Sequence, residues 1–258
     1  MSSEGEGKLV SALVRGVSIL QCFSAQTQEL GSKELAELTG LPKPTLFRLL
    51  DTLCDLGLLR YSERLSKYVP GVALLNLAAP ALARMTIRQL ARPGMQDLAD
   101  QISGQVQLAV GTGLQLTTVE LVQGAGSKVF RREIGLRVSL SRTASGRAYL
   151  GTLAPAALER YLAQLAAEDP PRRAWLEQRL QDAQQDLEAH GFCRSHGDLH
   201  REITSIAVPL AGRRDDETWV FAASVPVFSP QHQRLESDLG PRLIALVRSV
   251  EAALGSAG

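Results

Sequence analysis

The stretch SKELAELTGLPKPTLFRLLDTLCDLGLL, residues 32–59, decides the fold. Leu35, Ala36 and Leu38 make a short apolar helical face, and Gly40 stops it where a left-handed residue suits a helix end. Ser32 stands where an N-cap is expected. Pro44 suits the first turn of a new helix, because the amide it lacks would be unpaired there anyway. Leu46, Leu49, Leu50, Leu53 and Leu56 form the buried stripe of that second helix, and Gly57 ends it. Two short helices joined by a tight, glycine-containing break predict a helix-turn-helix. The second helix then carries Lys43, Pro44, Thr45, Phe47 and Arg48 away from its own leucines.

Upstream, Leu9, Val10, Leu13, Val14, Val17 and Leu20 recur at helical spacing after a polar, acidic start, MSSEGEGK, that reads as a disordered tip with no signal peptide. Downstream, LLRYSERLSKYVPG alternates and turns once, as a two-stranded wing does, with Arg64 and Lys67 at its tip. Such a module presents the first turn of its second helix to the major groove of double-stranded DNA. Lys43 and Arg48 suit phosphates or guanine edges, Thr45 and Phe47 thymine methyls, and Arg64 and Lys67 the backbone or minor groove. The competing reading is a three-helix bundle whose polar face is only solvated. Residues 1–75 hold eight basic and eight acidic side chains, so binding must draw on two or more copies to gather phosphate contacts.

Residues 72–92 are rich in Ala and Leu and read as a connecting helix that Pro80 should kink or interrupt; Arg84, Arg88 and Arg92 lie there with no acid among them. From Pro93 strands mix with helices, which predicts an α+β domain. The strands expected are QVQLAVGT, QLTTVELVQ, KVFRREIG, RVSLS, EITSIAVPLAG and TWVFAASVPVF, and the chain closes on a helix that Pro241 should break or bend. The organisation expected is therefore 1–75 DNA-binding, 76–92 connecting and 93–258 ligand-binding.

The chain of 258 residues is 45% apolar and carries a net charge of +1, so any nucleic-acid site is local rather than a property of the whole surface. No apolar run approaches the ~20 residues a membrane span needs, and a cytoplasmic location is expected. Cys22, Cys54 and Cys193 lack CxxC spacing, and Cys22 and Cys54, on apolar helical faces, read as buried thiols. Cys193, His196, Asp198 and His200 are metal-ligating types, yet their spacing fits no common closed site; no metal or other cofactor is expected. No catalytic constellation is recognisable, so an enzyme is not expected. Lys128, Arg131, Arg132, Arg137, Arg142 and Arg147 face one acid, Glu133, in twenty positions: either a solvated face or a lure for an anion. Ala144, Ser145 and Gly146 open a short helix, which reads either as close packing or as amides offered to a carboxylate.

Taken in order, ELAELTGLPKPTLFRLLDTLCDLGLL, YVPGVALLNLA, RTASGRAYLG and HGFCRSHGDLHREITSIAVPLAG resemble the isocitrate-lyase-regulator (IclR) family of bacterial transcription regulators. The resemblance implies a winged helix-turn-helix joined to a GAF-like effector-binding domain, working as a homodimer or homotetramer under a small organic or aromatic acid. It also implies a pocket lined by Ala144, Ser145, Ser195, Ser205, Ala222 and Ser224, with Ile203 as apolar wall. Five positions depart from the family pattern: Asp198 stands where Glu is expected, Ser195 for an aspartate, Ser205 for a cysteine, Pro44 for a serine and Ser141 for a histidine. The expected ligand is a carboxylic acid held between Ala144–Ser145 and the hydroxyls of Ser205 and Ser224. The alternative is a metabolite sensor whose winged helix serves protein–protein contact.

Overall fold

The computed structural model describes residues 9–24, 26–127, 133–211 and 217–256. The chain divides into two compact units, Met1–Arg84 and Met85–Gly258.

The first unit orders α1 (Ser11–Leu20), α2 (Ser32–Thr39), α3 (Lys43–Asp55), β1 (Leu59–Ser62), β2 (Lys67–Pro70) and α4 (Ala73–Arg84). Ile19, Leu30, Leu35, Leu46, Leu50, Leu53, Leu59 and Tyr68 share its core. The hairpin pairs antiparallel, Leu59 opposite Pro70 and Ser62 opposite Lys67, and a single bridge ties Leu30 to Tyr68. Gly40 ends α2 at φ 66°, as its position predicted. The cap before α2 is Gly31 rather than Ser32, because the Glu34 carboxylate reaches back to accept the Gly31 amide at 2.6 Å. Leu56 is 61% exposed, not part of the buried stripe, since α3 ends at Asp55 and the chain turns away. Pro80 lies inside α4 without ending it; the Asn76 carbonyl that loses a donor is exposed and open to water.

The single helix expected over 72–92 is two, because the chain leaves helical geometry at Met85 and starts α5 (Thr86–Ile102) next. The second unit continues with β3 (Gln105–Thr112), β4 (Gln115–Gln123), α6 (Ala144–Leu150), α7 (Pro155–Glu168), α8 (Pro170–His190), β5 (Cys193–His196), β6 (Ile203–Pro209) and β7 (Thr218–Pro226). A short 3-10 turn and a π turn lead into α9 (Gly240–Ser256). The closing helix is broken just before Pro241, which sits in the first turn of α9, as a proline at a helix start allows. The five strands form one antiparallel sheet in the order β4-β3-β7-β6-β5. Strand alternation gives the sheet two different faces. One face (Val106, Leu108, Ile206, Phe221, Ala223, Val225) packs on α5 and α9 through Met95, Leu98, Leu243 and Val247. The other (Ala109, Cys193, Ala207, Val220, Ala222) packs on α6, α7 and α8 through Ala144, Ala148, Leu162 and Leu176.

The strand expected at RVSLS is reduced to one bridge, Arg137 to Thr117, and KVFRREIG falls largely outside the described residues. Arg88 and Arg92, which have no acid among residues 72–92, both meet the buried carboxylate of Glu120, at 3.0 and 2.6 Å. No helix among the described residues is long and apolar enough to cross a membrane.

Candidate nucleic-acid interface and effector site

The first turn of α3 leaves Lys43, Pro44, Phe47 and Arg48 exposed and Thr45 half-buried, while Leu46 and Leu50 point into the core. The pattern follows from helical period: positions 46 and 50 anchor the helix, and 43, 44, 47 and 48 lie on the opposite side. Arg64 is exposed in the turn between the two strands of the hairpin. Lys67 is not at that tip. It opens β2, is half-buried, and lies 3.7 Å from the Glu34 carboxylate, so part of its charge is spent inside the unit. Between α1 and α3 runs an open groove of about 780 Å³, lined mainly by Leu13, Val17, Leu20, Leu49, Leu53, Leu56 and Leu58, and also by Pro44, Thr45 and Arg48. Around it Leu9, Val10 and Leu13 are 78%, 69% and 68% exposed.

In the second unit the register assembles a row that no segment of sequence shows by itself. Gln105 of β3 lies opposite Ser224 of β7, Ser224 opposite Ser205 of β6, and Ser205 opposite Ser195 of β5. Directly paired residues put their side chains on one face, so the four line up across the sheet. The Ser205 and Ser224 hydroxyls bond each other at 2.8 Å. The next row on that face is Gln107, Ala222, Ala207 and Cys193, small at its centre. Ile203, two residues before Ser205, is half-buried on the same face. Helix α6 covers β5, β6 and β7 on this side. Thr143 caps it by accepting the Gly146 amide at 2.9 Å, which leaves the amides of Ala144 and Ser145 without an intrahelical acceptor. A Cβ on Gly146 would stand 2.3 Å from the Ser139 carbonyl oxygen, so glycine here lets the helix lie against the preceding loop.

The predicted set Ala144, Ser145, Ser195, Ile203, Ser205, Ala222 and Ser224 therefore shares one side of one sheet. Its surroundings differ from expectation. Ile206, Val208 and Val225, which lie close to the serines in sequence, are on the opposite face with α5 and α9, because strand side chains alternate. Gln105 and Gln107 stand there instead. Both are buried, and Gln105 Oε1 and Gln107 Nε2 have no hydrogen-bond partner among the described residues. Sequence reading missed them; a polar residue at alternate positions of an otherwise apolar strand was the available signal.

Arg147 does not belong to a solvent-facing cationic cluster. It is 2% exposed, donates to the Ser141 and Arg194 carbonyls, and meets the Asp198 carboxylate at 2.9 Å. Asp198 also accepts the Ser195 hydroxyl at 2.9 Å, so this acid holds the end of β5 to α6. Of the other basic positions, Arg137 and Arg142 are exposed, and Lys128, Arg131 and Arg132 lie outside the described residues. The metal-ligating types do not converge. Cys193 faces α6, its thiol donating to the Ala144 carbonyl at 3.1 Å, whereas His196 faces the other side and His200 is exposed. Burial pushes the Cys193 thiol up to about 12, against the pull of Arg147, so it is inert rather than ligating. Among the described residues no three His, Cys, Asp or Glu side chains gather as a metal site. Cys22 and Cys54 are only half-buried. His196 and His232 both face the buried Thr204 hydroxyl, at 3.4 and 2.9 Å, and burial, His232 and Arg194 hold the His196 imidazole below its ordinary value.

Two family models match the chain, one over each of these parts. The IclR helix-turn-helix domain matches residues 12–63, and the bacterial transcriptional regulator IclR C-terminal domain matches residues 79–254. The chain belongs to the IclR family. It is 29% identical to the HTH-type transcriptional regulator TsaQ1/TsaQ2 of Comamonas testosteroni over 259 aligned positions, covering 100% of this chain and 92% of that protein. The crystal structure of an IclR family transcriptional regulator from Brucella abortus superposes with a TM-score of 0.84 at 35% identity, covering 98% of this chain and 96% of the other. An IclR homolog from Microbacterium hydrocarbonoxydans, crystallised with 4-hydroxybenzoate, shares the fold at a TM-score of 0.73 and 20% identity, over 95% of this chain and 100% of its own. This IclR protein is thus a DNA-binding transcription regulator and not an enzyme.

Proposed function

We propose that this regulator reads a double-stranded DNA operator through Lys43, Pro44, Thr45, Phe47 and Arg48, assisted by Arg64 and Lys67, and that a small organic or aromatic acid sets its activity. The observation that carries the reading is the polar row Gln105–Ser224–Ser205–Ser195 beside the small residues Ala207 and Ala222, under a helix that begins at Ala144 and Ser145. A few placed polar atoms in an otherwise apolar recess orient an apolar ligand body. The hydroxyl pair of Ser205 and Ser224 and the amides of Ala144 and Ser145 hold its carboxylate, with Ile203 and Ala222 against its body. The 4-hydroxybenzoate carried by the Microbacterium homolog is an acid of this kind. The ligand acts by binding one subunit arrangement better than another, since equal affinity for both shifts nothing.

Action as a homodimer or homotetramer is supported by the first unit. Leu9, Val10, Leu13, Val72, Leu75 and Leu77 are each more than two-thirds exposed there, an apolar area that a lone copy would leave in water. A second copy covers it and supplies the phosphate contacts that a locally neutral domain lacks. Cytoplasmic location follows from the DNA partner.

The test is fluorescence anisotropy with labelled DNA from upstream of the regulator's own gene, at fixed salt, with and without 4-hydroxybenzoate. Arg48→Ala should lose about 1–3 kcal/mol per base contact, roughly doubled in a symmetric dimer, and the acid should shift the wild-type curve. Unchanged affinity of Arg48→Ala on specific DNA would overturn the recognition assignment.

A further inference from the structure

We infer that Gln105 and Gln107 form a second recognition point in the effector site, specific for a ligand whose end remote from the carboxylate carries a hydroxyl. The inference rests on the acid-binding reading above and adds to it the chemistry of the ligand's other end.

Gln105 and Gln107 are 3% and 7% exposed, and neither is spent on the fold. Gln105 Oε1 and Gln107 Nε2 are enclosed and without a partner among the described residues. Buried polar atoms are nearly always paired, and leaving one unpaired costs stability. Two such atoms, one acceptor and one donor, stand two residues apart on one face of β3. A hydroxyl answers both at once: its hydrogen goes to Gln105 Oε1, and its oxygen accepts from Gln107 Nε2. A methyl or halogen of similar size answers neither, and a second carboxylate would repel Oε1.

Position sets the shape of the ligand. Gln105 and Gln107 belong to the same face as Ser205, Ser224 and Ala222, so they line the same side of the sheet. Helix α6 covers β5, β6 and β7, and β3 lies beyond them. Two strand spacings separate β3 from β6, about 10 Å between chain axes. Ser224 is one of those spacings from Gln105 and Ser205 two, so a ligand with its carboxylate on the Ser205 side and a hydroxyl at the glutamines spans about one six-membered ring. Ala222 and Ala207, at the centre of the second row, put only methyl groups on that face.

The experiment is calorimetric titration of the full chain with 4-hydroxybenzoate, 4-methylbenzoate and benzoate, on wild type and Gln105→Leu/Gln107→Leu. Wild type should prefer 4-hydroxybenzoate over 4-methylbenzoate by about tenfold or more, because a site built for a hydroxyl rejects the analogue without one. In the double variant that preference should fall within about threefold while benzoate still binds. Its ligand-free melting midpoint should hold or rise, since apolar groups replace unpaired polar ones. A structural role for the glutamines would instead lower the midpoint and leave the preference intact, and that result overturns the inference. So does a wild type that binds all three acids equally. Failure of wild type to bind any of the three overturns the acid-binding reading itself. The single variant Gln107→Met, close in volume, carries the same test should the double variant not fold: kept discrimination with Met at 107 and equal wild-type affinities would each refute the inference.

Discussion

Asp198→Leu isolates the charge that holds α6 to β5. Arg147 is 2% exposed and its guanidinium meets the Asp198 carboxylate at 2.9 Å, with further donation to the Ser141 and Arg194 carbonyls. Removing one partner of a buried pair leaves the other charged and desolvated, at a cost of about 3–5 kcal/mol. For a protein of this size 1 kcal/mol is worth about 2–4 °C in melting midpoint, so the variant should melt about 6–20 °C below wild type. Arg147→Met/Asp198→Leu removes both charges. What it loses is the donors to two carbonyls, the partner of the Ser195 hydroxyl and the 4.0 Å contact of Asp198 with Arg179, about 1 kcal/mol each at most if the freed groups find water. The double variant should therefore melt above Asp198→Leu, although it carries one more substitution. Thermal unfolding followed by circular dichroism, on wild type, both singles and the double at one pH and salt, completes the cycle. A double variant that melts at or below Asp198→Leu would refute the argument, because it would mean that Arg147 tolerates burial without its acid.

Gly146→Ala should destabilise by about 1–3 kcal/mol and weaken acid binding, since its Cβ would meet main-chain atoms of Ser139 and Leu140 at 2.3–2.5 Å and lift α6 from the loop; an unchanged midpoint in a thermal melt would contradict the close approach. His196 has a folded pKa below its ordinary 6.5, so near and below that pH the unfolded chain binds more protons than the folded one and stability falls as pH falls. His196→Asn should flatten that decline as pH falls through 6.5, measured as midpoint against pH; a parallel decline in the variant would assign it to other groups.

Local chemistry was enough for the first unit. Gly40, Pro44 and the leucines at 46, 50 and 53 specify two helices and the break between them through steric and periodic constraints that act within a few residues. The outward set at Lys43, Phe47 and Arg48 follows from the same period. Even there, long-range or side-chain effects escaped a linear reading: Glu34 took the cap at Gly31, and Lys67 was drawn toward Glu34. In the second unit the strand content and the small residues around Ala144 were legible, as was the presence of serines at 195, 205 and 224. Their assembly was not. Whether four side chains form a row depends on strand order and register, and β3 lies more than eighty residues before β5, β6 and β7 in the chain. Burial then decides role. Arg147 reads as one of six similar cations along the chain, and only enclosure beside Asp198 makes it a structural anchor. Glutamines at 105 and 107 read as ordinary strand residues, and only the sheet's inner face turns their unpaired amides into a recognition surface. Sequence settles what adjacent residues can do for one another; the cost of desolvating a charge or an amide exists only once distant segments have closed over it.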